Sequence, residues 1–344
     1  MPADSVSHAP DPVQHLFQLA TGFILSSALY EIVHAGIADH LSSGPKTTAE
    51  LARATNTNED ALYRILRALA GVGVFAETAP RTFGLTPAAE LLQAKHPRSL
   101  RDVMVFLPDP FHLRVYADLG ESLQTGRPAG EKTLGMPVFE YLARNREYSD
   151  VFNRAMTTFS ASMVPATIEA YDFSGIGVLV DVAGGQGELL MRVLQAHPAM
   201  RGVLMDLEHV IEGAKPRLAA SGLGDRIQAV PGDFFKAVPP GGDAYIMKSI
   251  IHDWDDDRAT RILRTIREAM GGKRAKVILL EGVIEPGNTP DFGKIMDLEM
   301  LALPGGRERT ADEFRALFAR AGFELTSVAR TKSPLCVIEG VVSR

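Results

Sequence analysis

From residue 174 onward the chain alternates short β-rich runs with helical stretches, and few folds accommodate that rhythm. "GVLVDVAGG", "RGVLMDLE", "IQAVPGDFF", "AYIMKSII" and "AKVILLEGVI" are five such runs, most of them separated by helix-length segments. Strands joined through helices lie parallel in one sheet with helices on its faces. Two more runs, "FELTSVART" and "LCVIEGVVS", follow another helix and are joined by a short turn at Lys332–Pro334. So short a turn forces an antiparallel pair. The expectation is an α/β, Rossmann-like sheet, parallel except for a C-terminal antiparallel hairpin.

The first hundred residues have another pattern. Residues 13–41 read as helix broken near Gly36. Leu16, Phe17, Leu19, Phe23, Ile24, Leu25, Leu29, Ile32, Val33 and Ile37 cover nearly every face, so the helix should be buried by its own domain or, preferably, by a second subunit. "TTAELARATN" is a helix with an N-cap threonine. "NEDALYRILRALAGVGVF" is a second helix, with Leu62, Ile65, Leu66 and Leu69 at helical spacing, and "AETAPRTFGLT" reads as a hairpin. Helix, turn, helix, hairpin is a winged-helix pattern. Residues 1–12 are Pro- and Asp-rich and read as disordered. Residues 100–172 read as mostly helical, with a Pro/Gly-rich connection at 126–137.

Composition excludes several functions. The net charge is −6 and the pI is about 5.9. Residues 1–100 hold seven Lys/Arg against nine Asp/Glu, a net of −2. That is a poor surface for nucleic acid despite Arg64 and Arg67 on the second helix. The single cysteine, Cys336, sits in the apolar run "LCVIEGVV" and reads as a buried thiol in a reducing, cytoplasmic compartment. The N-terminus lacks the pattern of a signal peptide, and no stretch of 18 apolar residues marks a membrane span. No Cys/His cluster calls for a metal.

"LVDVAGGQGELLMRVL" is strand, glycine-rich turn and helix. Gly184, Gly185 and Gly187 let backbone approach a ligand at a helix N-terminus. Asp206 closes the next strand, where a carboxylate can accept from ribose hydroxyls. Asp233 closes the third, followed by Phe234 and Phe235, an acid and aromatic faces for an adenine. Dinucleotide sites carry a third glycine, and here that position is Leu190. Acids ending three successive strands, Asp181, Asp206 and Asp233, suit S-adenosylmethionine, which has no phosphate.

One more stretch asks for chemistry. "IMKSIIHDWDDD" carries Lys248 in an apolar run that ends at His252, with Asp253 and the chain's only tryptophan, Trp254, behind it. His252 is either a strand-end cap or a proton acceptor. A histidine near pKa 6.5 is a suitable base for a hydroxyl.

"LVDVAGGQG", "GVLMDLEHVI", "VPGDFF", "MKSIIHDWDDD", "ILLEGVI" and "MLALPGGRERTADEFRALFARAGF", in this order and spacing, resemble the class I S-adenosylmethionine-dependent O-methyltransferases of the caffeic-acid, acetylserotonin and hydroxyneurosporene type. The resemblance covers about residues 14–343. It implies a dimerisation domain over 13–100, a helical linker contributing to the substrate pocket over 101–172, and a cofactor-binding catalytic domain over 173–344. It implies His252 as catalytic base flanked by Glu281 and Glu308, either of which could take the other ring N–H. It implies cofactor contacts at Asp181, Gly184, Gly185, Asp206, Leu207, Asp233, Phe234 and Lys248. Phe152, Met156, Phe159, Asp253, Met300 and Leu303 would face the substrate. Trp254 reads as packing. The chain departs from the family at Ala183, where a glycine is frequent, at Leu303, often Asn in plant members, and at Phe159, a histidine in some plant enzymes. These departures spare the cofactor residues and point away from a plant-type acceptor such as caffeic acid.

The implied reaction is methylation of a hydroxyl, preferably phenolic, on a small aromatic natural product by a homodimer, releasing S-adenosylhomocysteine. Alternatives are a family member with a non-methylating reaction (hydroxylase or pericyclase), an NAD-dependent enzyme and a winged-helix regulator. The missing glycine and the terminal hairpin oppose the NAD reading. The acidic winged helix and full second domain oppose the regulator.

Overall fold

The change of period near residue 174 is a change of architecture. The computed structural model describes residues 11–343. The chain divides into two compact units: residues up to Arg114 together with Asp150–Thr158, and Val115–Ser149 together with Phe159 onward.

The first unit opens with α1 (Pro12–His34), capped by Asp11, whose side chain accepts from the Val13 and Gln14 amides. The expectation of disorder for residues 1–10 lies outside the described residues, and Asp11 and Pro12 are part of the helix start. α1 breaks where expected, at Gly36 with φ +68°, before α2 (Ile37–His40). β1 (Lys46–Thr47), α3 (Thr48–Thr55), α4 (Glu59–Gly71), β2 (Phe75–Ala79) and β3 (Thr82–Leu85) follow. Thr47 and Glu50 form a capping box at α3, the T-x-x-E signal of its sequence. β1 adds to the hairpin as a third strand, pairing Lys46 with Phe83. Two residues carry no period, so the sequence did not disclose it. Ile32, Val33, Ile37, Leu51, Leu62, Leu66, Leu69, Phe75 and Phe83 form this unit's core.

α1 itself is only partly covered within the chain. Ile32 and Val33 are buried, whereas Leu16, Phe17, Leu19 and Phe23 are all more than 60% exposed. An 18-residue window of α1 has mean hydropathy 1.5, so by length and composition alone this 23-residue helix is long and apolar enough to cross a membrane. The sequence expectation concerned a stretch of 18 apolar residues, and α1, which carries Gln14, His15, Gln18 and Glu31, is not one.

Helices α5 (Pro87–Glu90), α6 (Arg101–Phe106), α7 (Pro110–Ala117), α8 (Leu119–Thr125), α9 (Ala129–Leu134), α10 (Val138–Arg144) and α11 (Arg146–Ala170) come next. The connection expected at 126–137 contains α9, so proline and glycine there punctuate helices rather than mark a loop.

The second unit is built on β4 (Val178–Val182), α12 (Glu188–Ala196), β5 (Arg201–Asp206), α13 (Glu208–Ala220), β6 (Ile227–Pro231), β7 (Ala244–Lys248), α14 (Asp256–Met270), β8 (Lys276–Gly282), α15 (Phe292–Ala302), α16 (Ala311–Ala321), β9 (Phe323–Arg330) and β10 (Leu335–Val342). The sheet order is β6-β5-β4-β7-β8-β10-β9. β4 to β8 pair in parallel, and β10 runs antiparallel to both β8 and β9. This is the expected sheet, with β10 inserted inside its own hairpin partner. Alternation distributes the strand residues between two cores. Val180, Tyr245, Val277 and Leu279 pack with α14 and α16, while Leu179, Ile246, Ile278 and Leu280 pack with α12 and α13. Cys336 is buried in the first of these, and burial pushes its thiol up.

Candidate active site

At the C-terminal edge of the parallel strands the chain makes two backbone concessions. Ala183, after β4, has φ +58°, and Ser249, after β7, has φ +53°. A left-handed non-glycine residue costs on the order of 1–2 kcal/mol, and such strain concentrates at functional sites. Beyond Ala183 the chain turns through Gly184 and Gly185 into α12. A Cβ on Gly184 would lie 2.5 Å from the Asp181 carboxylate and from Leu204, so this position excludes any side chain.

Asp206 braces that turn. The Gly185 amide donates to its Oδ2 (2.8 Å) and the Leu207 amide to its Oδ1 (2.7 Å). Asp181 lies on β4, 1% exposed, and its Oδ2 is buried without a hydrogen-bond partner. Burial pushes this carboxyl up to about 7, against the pull of Lys248 and with the repulsion of Asp206. Burial also raises Asp206 and lowers Lys248, whose charge is supported by Asp181, Glu281 and Asp253. Asp233 accepts from the Phe235 amide at 2.9 Å. Phe234 and Phe235 pack on each other and on Trp254, which also stacks on Phe139. Leu207 is half exposed at the start of α13.

The strand that carries Lys248 ends there, not at His252. The sequence placed the end four residues late because Ile250 and Ile251 continue the apolar run. Ser249 turns the chain out, and His252 sits in a one-turn 3₁₀ helix, Ile251–Asp253. Its Nδ1 lies 2.7 Å from Glu308 Oε1 and 3.8 Å from Glu281 Oε2. Glu308 is thus the hydrogen-bond partner that the sequence left open. Glu281, wholly buried at the end of β8, spends Oε1 on the Ile250 and Ile251 amides (3.0 and 2.8 Å) and so holds the turn. The donor atoms of His252, Glu281 and Glu308 lie within 4.8 Å of one another. Burial works against the imidazolium, but Glu281, Asp253 and Glu308 outweigh it and hold His252 up to about 10. Nε2 stands 3.7 Å from Asp253 Oδ1, beyond hydrogen-bond reach. One ring nitrogen is fixed by a hydrogen bond and the other is not.

Glu308 comes from the strap between α15 and α16. Its amide donates to Asp297 Oδ1 at 2.8 Å. The Arg307 amide donates to the His252 carbonyl at 2.8 Å. Gly306 packs so close that a Cβ there would lie 1.9 Å from that carbonyl oxygen. The Met300 carbonyl accepts from the Gly305 and Gly306 amides, tying α15 to the strap. Met300 and Leu303 are buried beside it.

All cofactor and catalytic candidates therefore lie in the second unit, on one edge of its sheet or on the strap. Phe159 and Asp253 belong to it too. Phe152 and Met156 belong to the first unit, where Phe152 packs edge-on to Phe106. Several polar residues went unnoticed in the sequence. Arg309 is buried at 1% exposure, Asp297 receives the Glu308 amide, and Tyr116 donates to the buried Glu299. His112, which its place beside Phe111 in the sequence made a candidate for lining the pocket, is buried in the first unit, its Nδ1 3.0 Å from Asp109 Oδ1. Only the neighbourhood of Arg309 and Asp297 to the "PGGRERT" segment could have signalled the first two.

Comparison with known proteins gives this arrangement its place. A family model described as the O-methyltransferase domain matches residues 116–324, and one described as the O-methyltransferase dimerisation domain matches residues 17–95. The chain belongs to this O-methyltransferase family. A phenazine O-methyltransferase of Lysobacter antibioticus is 43% identical over 324 residues, 94% of either chain. An 8-amino-8-demethylriboflavin N,N-dimethyltransferase of Streptomyces davaonensis is 36% identical, covering 96% of this chain and 98% of its own. The crystal structure of an O-methyltransferase from neocarzinostatin biosynthesis, in complex with S-adenosylmethionine and 2-hydroxy-5-methyl naphthoic acid, aligns with a TM-score of 0.82 and 31% identity. The alignment covers 97% of this chain and 99% of that one. The chain is an enzyme of the methyltransferase class. Gly306→Ala, by driving the strap off the His252 turn, should destabilise the second unit by about 3 kcal/mol, measured by denaturant unfolding followed at Trp254.

Proposed function

We propose that the protein transfers the methyl group of S-adenosylmethionine to a phenolic hydroxyl of a small aromatic natural product, with His252 as general base. The observation that carries this reading is the 2.7 Å hydrogen bond of His252 Nδ1 with buried Glu308, while Nε2 faces Asp253 Oδ1 at 3.7 Å, an ion-pair distance too long for a hydrogen bond.

The residues at the strand edge fit the cofactor. Gly184 clears the space over β4, and the orphaned Asp181 oxygen calls for a cationic or N–H partner such as the cofactor's amino group. Asp206 keeps lone pairs on both oxygens for ribose hydroxyls, Asp233 and Phe234 would hold the adenine, and Gly185, Leu207 and Lys248 complete the set. When bound, S-adenosylmethionine supplies a methyl group activated by a sulfonium. The chain's part is to hold the acceptor oxygen in line and take its proton. Alignment is worth on the order of 7–11 kcal/mol, and a positioned base about 10²–10⁴ in rate. The hydroxyl proton passes to His252 Nε2, while Nδ1–H donates to Glu308 and Glu281 adds negative charge behind it. A phenol near pKa 10 is matched by an imidazole held well above its ordinary value. Phe159, Asp253, Met300 and Leu303 are the acceptor-facing residues proposed in this unit. The closing experiment is calorimetry with S-adenosylhomocysteine, then turnover with labelled S-adenosylmethionine on a panel of phenols and arylamines. His252→Ala should bind S-adenosylhomocysteine like the parent yet lose about 10²–10⁴ in kcat. Parent-level turnover by that variant would remove His252 as base.

The pH dependence has a sign. Only neutral His252 accepts a proton, so kcat/KM should rise with pH through a range above the ordinary histidine value. Glu308→Gln removes one carboxylate that favours the imidazolium. Its rising limb should move to lower pH, with a smaller plateau, leaving Glu281 and Asp253 to hold the remaining shift.

The exposed apolar residues of α1 are proposed as the seat of a homodimer, in keeping with the dimerisation-domain match. Phe23→Glu should convert the dimer to monomer in sedimentation analysis. A parent that sediments as a monomer at micromolar concentration would overturn this assignment.

A further inference from the structure

The strap from Gly305 to Arg309 supplies Glu308, yet its most buried member is a residue to which the reaction gives no task. Arg309 is among the largest fully buried side chains of the protein. Its Nη1 donates to the Ile251 carbonyl (3.2 Å) and to the Arg307 carbonyl (3.3 Å). Its Nη2 donates to the Trp254 carbonyl (2.9 Å) and to Asp256 Oδ1 (2.8 Å), and Nε donates to the same oxygen (3.1 Å). Ile251 and Trp254 bracket the 3₁₀ turn that presents His252 and Asp253, and Asp256 opens α14. The Arg309 backbone is fixed as well: its carbonyl accepts from the Ile284 amide at 3.0 Å, just past the β8 strand that carries Glu281. One guanidinium therefore ties together both ends of the His252 turn, the backbone beside Glu308 and the start of α14.

We infer that Arg309 is a positioning residue that sets the distance between His252 and Glu308. The inference rests on His252 being the base. A planar fork with five donors can serve carbonyls and a carboxylate in different directions at once. A lysine at the same place keeps the charge and loses the fork. Such a cation, buried and paired on only one side with the half-exposed Asp256, is retained for the geometry it imposes. Glu308 lies next in the chain, so rotation of this residue moves the carboxylate relative to Nδ1. Misplacement by about 1 Å costs on the order of 10²-fold in rate.

The test uses Arg309→Lys and Asp256→Asn in the full-length protein, with His252→Ala alongside. For each, S-adenosylhomocysteine affinity, thermal stability, kcat, KM for acceptor and cofactor, and the pH profile are measured. Arg309→Lys should keep both KM values and the S-adenosylhomocysteine affinity while kcat falls about 10- to 100-fold. Its rising pH limb should shift toward lower pH, as the Glu308 carboxylate loosens from an imidazole that still faces Glu281 on β8, Asp253 on the turn and Lys248 on β7. Asp256→Asn should move kcat and the pH limb the same way by a smaller factor. A folded Arg309→Lys enzyme with parental kcat overturns the inference. So does a kcat loss matched by weakened binding with the pH profile in place, which marks a structural role alone. Where Arg309→Lys does not fold, Asp256→Asn decides on the same readouts. A fully active His252→Ala enzyme would instead sink the base assignment, a separate failure.

Discussion

Two glutamates and a histidine brought out of water within 4.8 Å of one another form the constraint around which the second unit is organised. A buried carboxylate is costly unless it is paired and hydrogen-bonded. Glu281 meets that demand through two backbone amides of the His252 turn, and Glu308 through the imidazole itself. The partners are mutually required. The turn needs Glu281 to satisfy its amides, the glutamates need the imidazole to offset their charge, and the imidazole is held basic by both. The second oxygens of Glu281 and Glu308 remain buried and unpartnered, so the cluster retains capacity for charge to develop on the imidazole.

The same edge of the sheet shows how backbone is made to serve a ligand. Ala183 and Ser249 hold left-handed φ at the ends of the neighbouring strands β4 and β7. Gly184 and Gly306 admit no Cβ, the one against Asp181 and the other against the His252 carbonyl. Strain and close approach fall where the cofactor candidates and His252 are presented, and β4 and β7 behind them are buried over four of their five residues. A rigid sheet with a strained rim fixes two groups of residues, Asp181, Asp206 and Asp233 on one side and Lys248, His252 and Glu281 on the other.

The first unit obeys a different balance. Its core is closed by Leu51, Leu66 and Phe83, while the N-terminal half of α1 keeps its apolar side chains in the open. Exposed aromatic and aliphatic residues along several turns of one helix are a large apolar surface for a single chain. The family's dimerisation domain matches this region, which accounts for a hydropathy that composition alone would equally allow to a bilayer.

Local signals carried much of this into the sequence. The change from a 3.6-residue to a two-residue period gave the β-strands and the class of sheet. A threonine marked the cap of α3, and glycines marked the cofactor turn. Residue type and place at the end of an apolar run singled out His252, and the family resemblance added Glu281 and Glu308. What the sequence could not decide were relations without a period or a neighbour in the chain. These include the two-residue strand β1, the insertion of β10 between β8 and β9, the strand end at Lys248 hidden in an apolar run, and the choice of Glu308 over Glu281. Arg309 belongs with them, since nothing in "GRERT" distinguishes a buried arginine from a solvated one. Propensity and spacing act within a few residues, so the sequence determined which elements form and which residues hold chemical potential. Pairing across 56 positions, as between His252 and Glu308, depends on where packed elements bring their ends, and only the tertiary structure decided it.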